Sequence, residues 1–318
     1  MTLADIQWAS YRRLNYADSP PPDVSLRMTQ WINIWHQRLL TLPGVDSLRD
    51  TTLSFSSAIG QTQYALPDGL ARIRKIYEVT SPRVLRQEQW AWIREYDPQL
   101  LAAGVPDVYA FVSYKAVKAQ PSTAQIWAVS TNGGDTQQIT VGGFSAAGER
   151  LPPITVSLAG TAPVLVSSSF IREIDRVFLS APAVGTVELM DTPTVATGKP
   201  LLYILPGKTS TRYQWIQLWP TPASALTYYV DCQRNLDPLA LAMDEPLLPP
   251  EFHWLLVEAA CFEEWLRKGD PRAATAKAEI DTGVKAMRHW VWSLPDYQPS
   301  NAAQGDRPSR LGGQYPAW

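Results

Sequence analysis

Between Val24 and Leu42 the apolar residues Val24, Met28, Trp31, Trp35, Leu39 and Leu42 recur at steps of three and four. That spacing predicts one helical stripe, starting after Asp23 and ended by Pro43-Gly44. A shorter helix precedes it and is closed by Pro20, Pro21 and Pro22, because proline lacks the amide donor and restricts the residue before it. Past Gly44 the period becomes strand-like. Leu53 and Phe55 alternate with polar residues, Ile59 to Thr62 reads as a turn, and Tyr64-Ala65-Leu66-Pro67-Asp68-Gly69 as the close of a short hairpin. Ile73, Ile76, Tyr77 and Val79 continue as a strand or a short mixed element. Arg86 to Leu101 is predicted helical, with Trp90, Ile93, Leu100 and Leu101 as apolar contacts and Asp97-Pro98 as a restart. Gly104-Val105-Pro106 stops it, and Val108 to Val117 is a strand.

From about Gln120 to Pro206 helical periodicity vanishes and Ser, Thr, Gly, Val and Ala dominate. Short strands are predicted at Gln125–Val129, Gln137–Val141, Ile154–Leu158, Val164–Ser167, Ile174–Leu179, Thr186–Met190 and Leu201–Leu205. Turn residues separate them, as in Asn132-Gly133-Gly134-Asp135 and at Gly160, which is the pattern of a small β-sandwich or barrel. Two more strands follow, Tyr213 to Trp219 and Leu226 to Gln233, around Pro220-Thr221-Pro222. Two helices close the pattern. Pro249-Pro250-Glu251 starts one, with Phe252, Leu255, Leu256, Ala259, Phe262 and Leu266 on one face. Asp270-Pro271 opens the other, whose face is Ala273, Ala276, Ile280, Val284, Met287 and Val291. The predicted class is α+β: a discontinuous helical domain over residues 1–119 and 207–294, an inserted all-β, sandwich-like domain over 120–206, and an extended tail over 295–318.

Composition narrows the function classes. In 318 residues, 28 Lys+Arg face 30 Asp+Glu, a net charge of -2 that argues against a dedicated nucleic-acid binder. Hydrophobic residues at 45% exclude a disordered chain, and charged residues at 18% leave neutral surface to face other protein. No apolar stretch approaches a membrane span, and no basic run with an apolar core opens the chain. Cys232 and Cys261 show neither metal nor redox spacing and read as buried thiols. The 13 Trp, 13 Tyr and 27 Pro point to aromatic contacts and extended turns.

No catalytic constellation emerges. Gly207-Lys208-Thr209 lacks the glycine five positions earlier that a phosphate loop needs, so it reads as a turn. Gly142-Gly143-Phe144-Ser145 contains no nucleophile elbow. His36, His253 and His289 lie in predicted helices without ligand partners, and Glu258, Glu263 and Glu264 beside His253 read as structural, with Glu264 and Lys268 an ordinary surface pair. No cofactor and no metal are expected. Arg72, Arg74 and Lys75, Arg12-Arg13, and Arg307 with Arg310 are too scattered to track phosphates. Most tryptophans, from Trp31 to Trp292, are assigned to core packing, and the surplus to protein contacts.

The order of weak motifs carries more. A helix pair, Tyr64-x-Leu66-Pro67-Asp68, a basic strand, a tryptophan-bearing helix and Gly104-x-Pro106-x-x-Tyr109 come first. Leu218-Trp219-Pro220-Thr221-Pro222 and then Leu247-Leu248-Pro249-Pro250-Glu251-Phe252 lead into the closing helices. This succession resembles the head-to-tail adaptor (connector) proteins of tailed bacteriophages, over roughly residues 1–120 and 210–294 and not over the β insertion. The resemblance implies a non-enzymatic virion protein, made in the host cytoplasm and placed at the head–tail junction. It implies a homo-oligomeric ring, usually of twelve copies, beneath the portal protein, extending the DNA channel used in genome ejection without sequence-specific contact. It also implies a platform for a downstream tail protein (nozzle or terminator), and no membrane partner. The C-terminal segment is the part that docks on the portal, so Arg307, Arg310, Tyr315, Pro316 and Trp318 are the expected interface residues. A competing reading makes the chain a tail-associated binding module whose β domain recognises a fibre protein or carbohydrate. A cell-wall hydrolase is disfavoured, since no paired carboxylates stand in a glycine-framed cleft.

Overall fold

The computed structural model describes residues 1–16, 20–81, 83–121, 125–145, 147–167, 173–193 and 199–293. The described residues form a mixed α+β fold. In chain order come α1 (Leu3–Arg13), α2 (Pro22–Leu40), β1 (Asp50–Ser56), β2 (Gln63–Ala65), β3 (Leu70–Glu78), β4 (Arg83–Val84) and β5 (Arg86–Glu88). Next are α3 (Trp90–Tyr96), β6 (Ala103–Gly104), β7 (Val108–Lys115), β8 (Ile126–Ser130), β9 (Gln138–Phe144), β10 (Ile154–Ser157) and β11 (Val164–Ser167). Then follow β12 (Glu173–Leu179), β13 (Val187–Met190), β14 (Pro200–Ile204), β15 (Tyr213–Trp219), β16 (Thr221–Pro222) and β17 (Thr227–Arg234). Helices α4 (Trp254–Lys268) and α5 (Arg272–Trp292) complete the described chain.

Two compact units divide at Thr51/Thr52 and Cys232/Gln233. In the first unit α4 packs against α1, α2 and α5. It is therefore buried around most of its circumference, with Leu255, Leu256, Ala259, Ala260 and Cys261 sealed from water. Helix α2 supplies Met28, Leu39 and also Ile32 to that core, with Trp31 and Trp35 of the expected stripe packed partly buried against it, and α5 supplies Ala276 and Met287. Thr2 and Asp5 close a capping box on α1. Asp270 accepts the Arg272 amide at 2.9 Å as α5 begins.

The second unit is built from sheets. Strands in the order β1-β17-β3-β4 and β2-β15-β7-β5 form two four-stranded sheets. Their facing side chains include Tyr64, Leu66, Ile76, Ile216, Leu218, Tyr228 and Val230. Phe55 stacks on Tyr228 with centroids 5.2 Å apart. A four-stranded sheet β11-β8-β13-β14 and a three-stranded sheet β10-β9-β12 share a separate core of Ile126, Ile139, Val141, Val177, Val187 and Leu202. Those seven strands match the predicted ones within a residue or three, because alternation and turn residues are local signals.

Three expectations change. The boundaries at 119/120 and 206/207 do not coincide with those of the compact units. Strands β7 and β15 pair along their length, and Val117, Tyr213 and Trp215 sit in the same core as Ile126 and Ile204. The expected Tyr64–Gly69 hairpin does not form: β2 pairs with β15, Ala65 opposite Trp215, while β3 lies between β17 and β4 in another sheet. The predicted Arg86–Leu101 helix is a strand, β5, and the short α3, which stops at Tyr96. Proline at position 98 disfavours helix at Asp97, and that effect prevails over the apolar spacing.

Candidate interaction surface

Aromatic side chains gather where α3 meets the end of β15. Trp92 and Tyr96, one turn apart on α3, stack with centroids 5.5 Å apart and planes 8° from parallel. Both meet the Trp219 ring edge-on, at 5.7 and 5.4 Å. Ile93, the residue after Trp92 on α3, is sealed in a small core with Val108 and Ala110, which anchors the helix. Anchoring one face turns the other outward: Tyr96 is 69% and Leu101 75% exposed, and Trp90, Trp92 and Val105 are also exposed. Trp90 is held at its edge, donating Nε1–H to Gln217 at 2.9 Å, while the Arg94 guanidinium lies over its ring.

One carboxylate organises this region. Asp97 accepts the Leu101 amide at 3.1 Å, the Ala102 amide at 3.0 Å and the Trp219 indole N–H at 3.2 Å. The Ala102 amide, and then those of Leu101 and the Trp219 indole, hold its pKa below the usual 3.8 against the opposing effect of burial. With its donors satisfied, the 97–102 loop accommodates a left-handed Leu100 (φ 56). Residues Ala103–Gly104 then pair in parallel with Thr221–Pro222. The result is an apolar platform of preset shape, with the aromatic types that anchor protein interfaces. Apolar spacing alone places most tryptophans in the core, leaves the surplus to protein contacts and makes Asp97-Pro98 a helix restart. The Asp97-Pro98 pair was the signal for a loop with an outward aromatic rim.

The expected interface residues Arg307, Arg310, Tyr315, Pro316 and Trp318 lie outside the described residues. Gly207 has φ 79, as a turn after β14 requires. Lys75 is paired with Asp231 at 3.5 Å and lies over the Tyr77 ring, as on an ordinary solvated strand face. Arg12 covers Trp8, whereas Arg13 turns to Glu258.

His36 and His253 are buried, with ring nitrogens engaged by the Leu247 amide and the Leu248 carbonyl. Burial, followed by the neighbouring His253, pushes His36 down to about 4. Glu264 is fully buried, so its pair with Lys268 is not the expected surface contact. Burial alone would raise its pKa, yet bonds from Arg267, Tyr16 and Lys268 prevail and bring it down to about 2. Glu263 accepts the Trp35 indole N–H at 2.9 Å. Among the described residues no three metal-ligating side chains gather. No described helix is long and apolar enough to cross a membrane.

Comparison with known families decides the identity. The profile of the SU10 adaptor protein family matches residues 125–304, more than half of the chain. The chain belongs to this family. Its members are structural phage adaptors and not enzymes, and membership makes the protein a virion component. A search of curated proteins found no match. The family match begins at 125 and so includes the β strands expected to lie beyond the resemblance, whereas residues 1–124 fall outside it. The resemblance rests on the order of turn and proline motifs on either side of the β region.

Proposed function

We propose that this SU10-family adaptor works as a head-to-tail adaptor: copies assemble into a ring beneath the portal, extend the DNA channel and present a platform to the downstream tail protein. The family match over residues 125–304 carries this reading. The aromatic platform supports it. Exposed Trp92 and Tyr96 locked against Trp219 are rigid side chains that lose little conformational freedom on docking, which favours tight protein contacts. A ring needs the same surface to meet a different surface on the next copy, closing by rotation. Near-zero net charge leaves passing DNA with little counterion-linked drag.

Mixing the full chain with purified portal rings and imaging by electron microscopy tests the assignment. An added ring of density under the portal is the expected result. Portal rings that stay bare at micromolar adaptor would refute it. Removing the residues after Pro295 is expected to leave a folded monomer that no longer attaches, and normal decoration by that truncated chain would refute the tail-docking part.

A further inference from the structure

A second feature lies in the helical unit, where Arg13 turns to Glu258. Glu258 on α4 is 4% exposed. Its Oε1 meets Arg13 Nη1 at 2.7 Å, and the other Arg13 nitrogen reaches Glu279 on α5 at 3.1 Å. Arg13 is therefore shared between two carboxylates, and Glu258 Oε2 is buried with no hydrogen-bond donor. Leaving a charged acceptor so placed costs more than an exposed one, so a missing donor is the informative observation. Glu258 also lines a groove of ≈ 420 Å³, together with Trp254, Thr275, Ala278, Glu279 and Thr282. Positions 275, 278, 279 and 282 form one face of α5, and Thr282 gives its hydroxyl proton to Ala278, leaving its lone pairs to accept. Gly283 lets the Trp254 indole lie close against α5, since a methyl there would stand 2.7 Å from the ring. Trp254 is 40% exposed.

The surroundings specify the ligand. Two carboxylates share one guanidinium, beside an exposed indole that favours cations and a Thr282 hydroxyl whose lone pairs are left to accept. Burial first, and then the neighbouring Glu279, raises Glu258 to about 7 against the pull of Arg13, consistent with too few cations for its carboxylates. With no group of three metal-ligating side chains among the described residues, a metal ion is not the match. A planar guanidinium is, because it donates in parallel to carboxylates and stacks on an indole. We infer that this α4–α5 groove receives an arginine side chain of another protein chain, which completes the donors missing at Glu258.

The probe is acetyl-arginine methylamide, titrated into the full chain and followed by amide and indole NMR signals of Trp254, Ala278 and Thr282. Acetyl-citrulline methylamide, the neutral isostere, and spermidine, a free polyamine, serve as comparators. Saturable shifts confined to these residues, with binding at least about tenfold tighter than for citrulline, are expected. Glu279→Gln, at a half-exposed site, is expected to weaken binding by about fivefold or more without altering other signals. Equal response to citrulline, shifts scattered elsewhere, no response, response to spermidine but not arginine, or full binding by E279Q would each overturn the inference.

Discussion

Glu264→Gln tests how the central helix carries a buried charge. The carboxylate is fully buried and accepts from Arg267 at 2.7 and 3.1 Å and from Tyr16 at 2.6 Å, with Lys268 at 3.3 Å. Its pKa falls from 4.5 to about 2 on folding. A group with a depressed folded-state pKa adds stability that is fully present above its unfolded value and is lost as pH falls through the folded one. At about 1.4 kcal/mol per tenfold change in proton affinity, that gap corresponds to about 3 kcal/mol at neutral pH. Arg267 and Lys268 are 48% and 40% exposed, and solvent screening of these donors brings the figure toward about 2 kcal/mol. Glutamine keeps the shape, removes the charge and leaves one donor facing an amide. Urea unfolding of both proteins, followed by helical circular dichroism, is expected to show E264Q less stable by about 2–3 kcal/mol at pH 7, and by about half that near pH 3. A carboxyl NMR titration places the Glu264 midpoint well below 4.5. A stability difference that does not change with pH, or an ordinary midpoint, would refute the reasoning and reduce the residue to a packing element.

Two substitutions probe close approaches that only glycine permits. Gly160 has φ 62, and a side chain there would run into the Gly133 carbonyl, so Gly160→Ala combines left-handed strain with overpacking. A loss of about 2–4 kcal/mol in thermal or urea unfolding is expected, and unchanged stability would show that the turn can move away. Gly283→Ala sets a helix-propensity gain of about 1 kcal/mol against a collision with the sealed Leu255 and the Trp254 ring, worth about 1–3 kcal/mol. The net expectation is a small destabilisation; a more stable variant would mean that α4 and α5 separate freely.

The sequence by itself determined most elements: the α2 stripe, the seven strands between Ile126 and Ile204, the extent of β15, and the two closing helices. Each depends on the spacing of neighbours within one element, and short-range periodicity records that. It also held the order of motifs that resembles phage adaptors, in agreement with the family. Only the tertiary structure decided which strands pair, where the units divide and which polar groups are buried. Ala65 meets Trp215, and Asp97 binds a tryptophan 122 positions away. Glu258 and Glu264, alike in sequence and six positions apart on α4, are pushed to about 7 and about 2: burial raises the first, whose one arginine is shared with Glu279, whereas three donors outweigh burial at the second. Such pairings depend on how distant segments dock, and one-dimensional spacing contains no term for that.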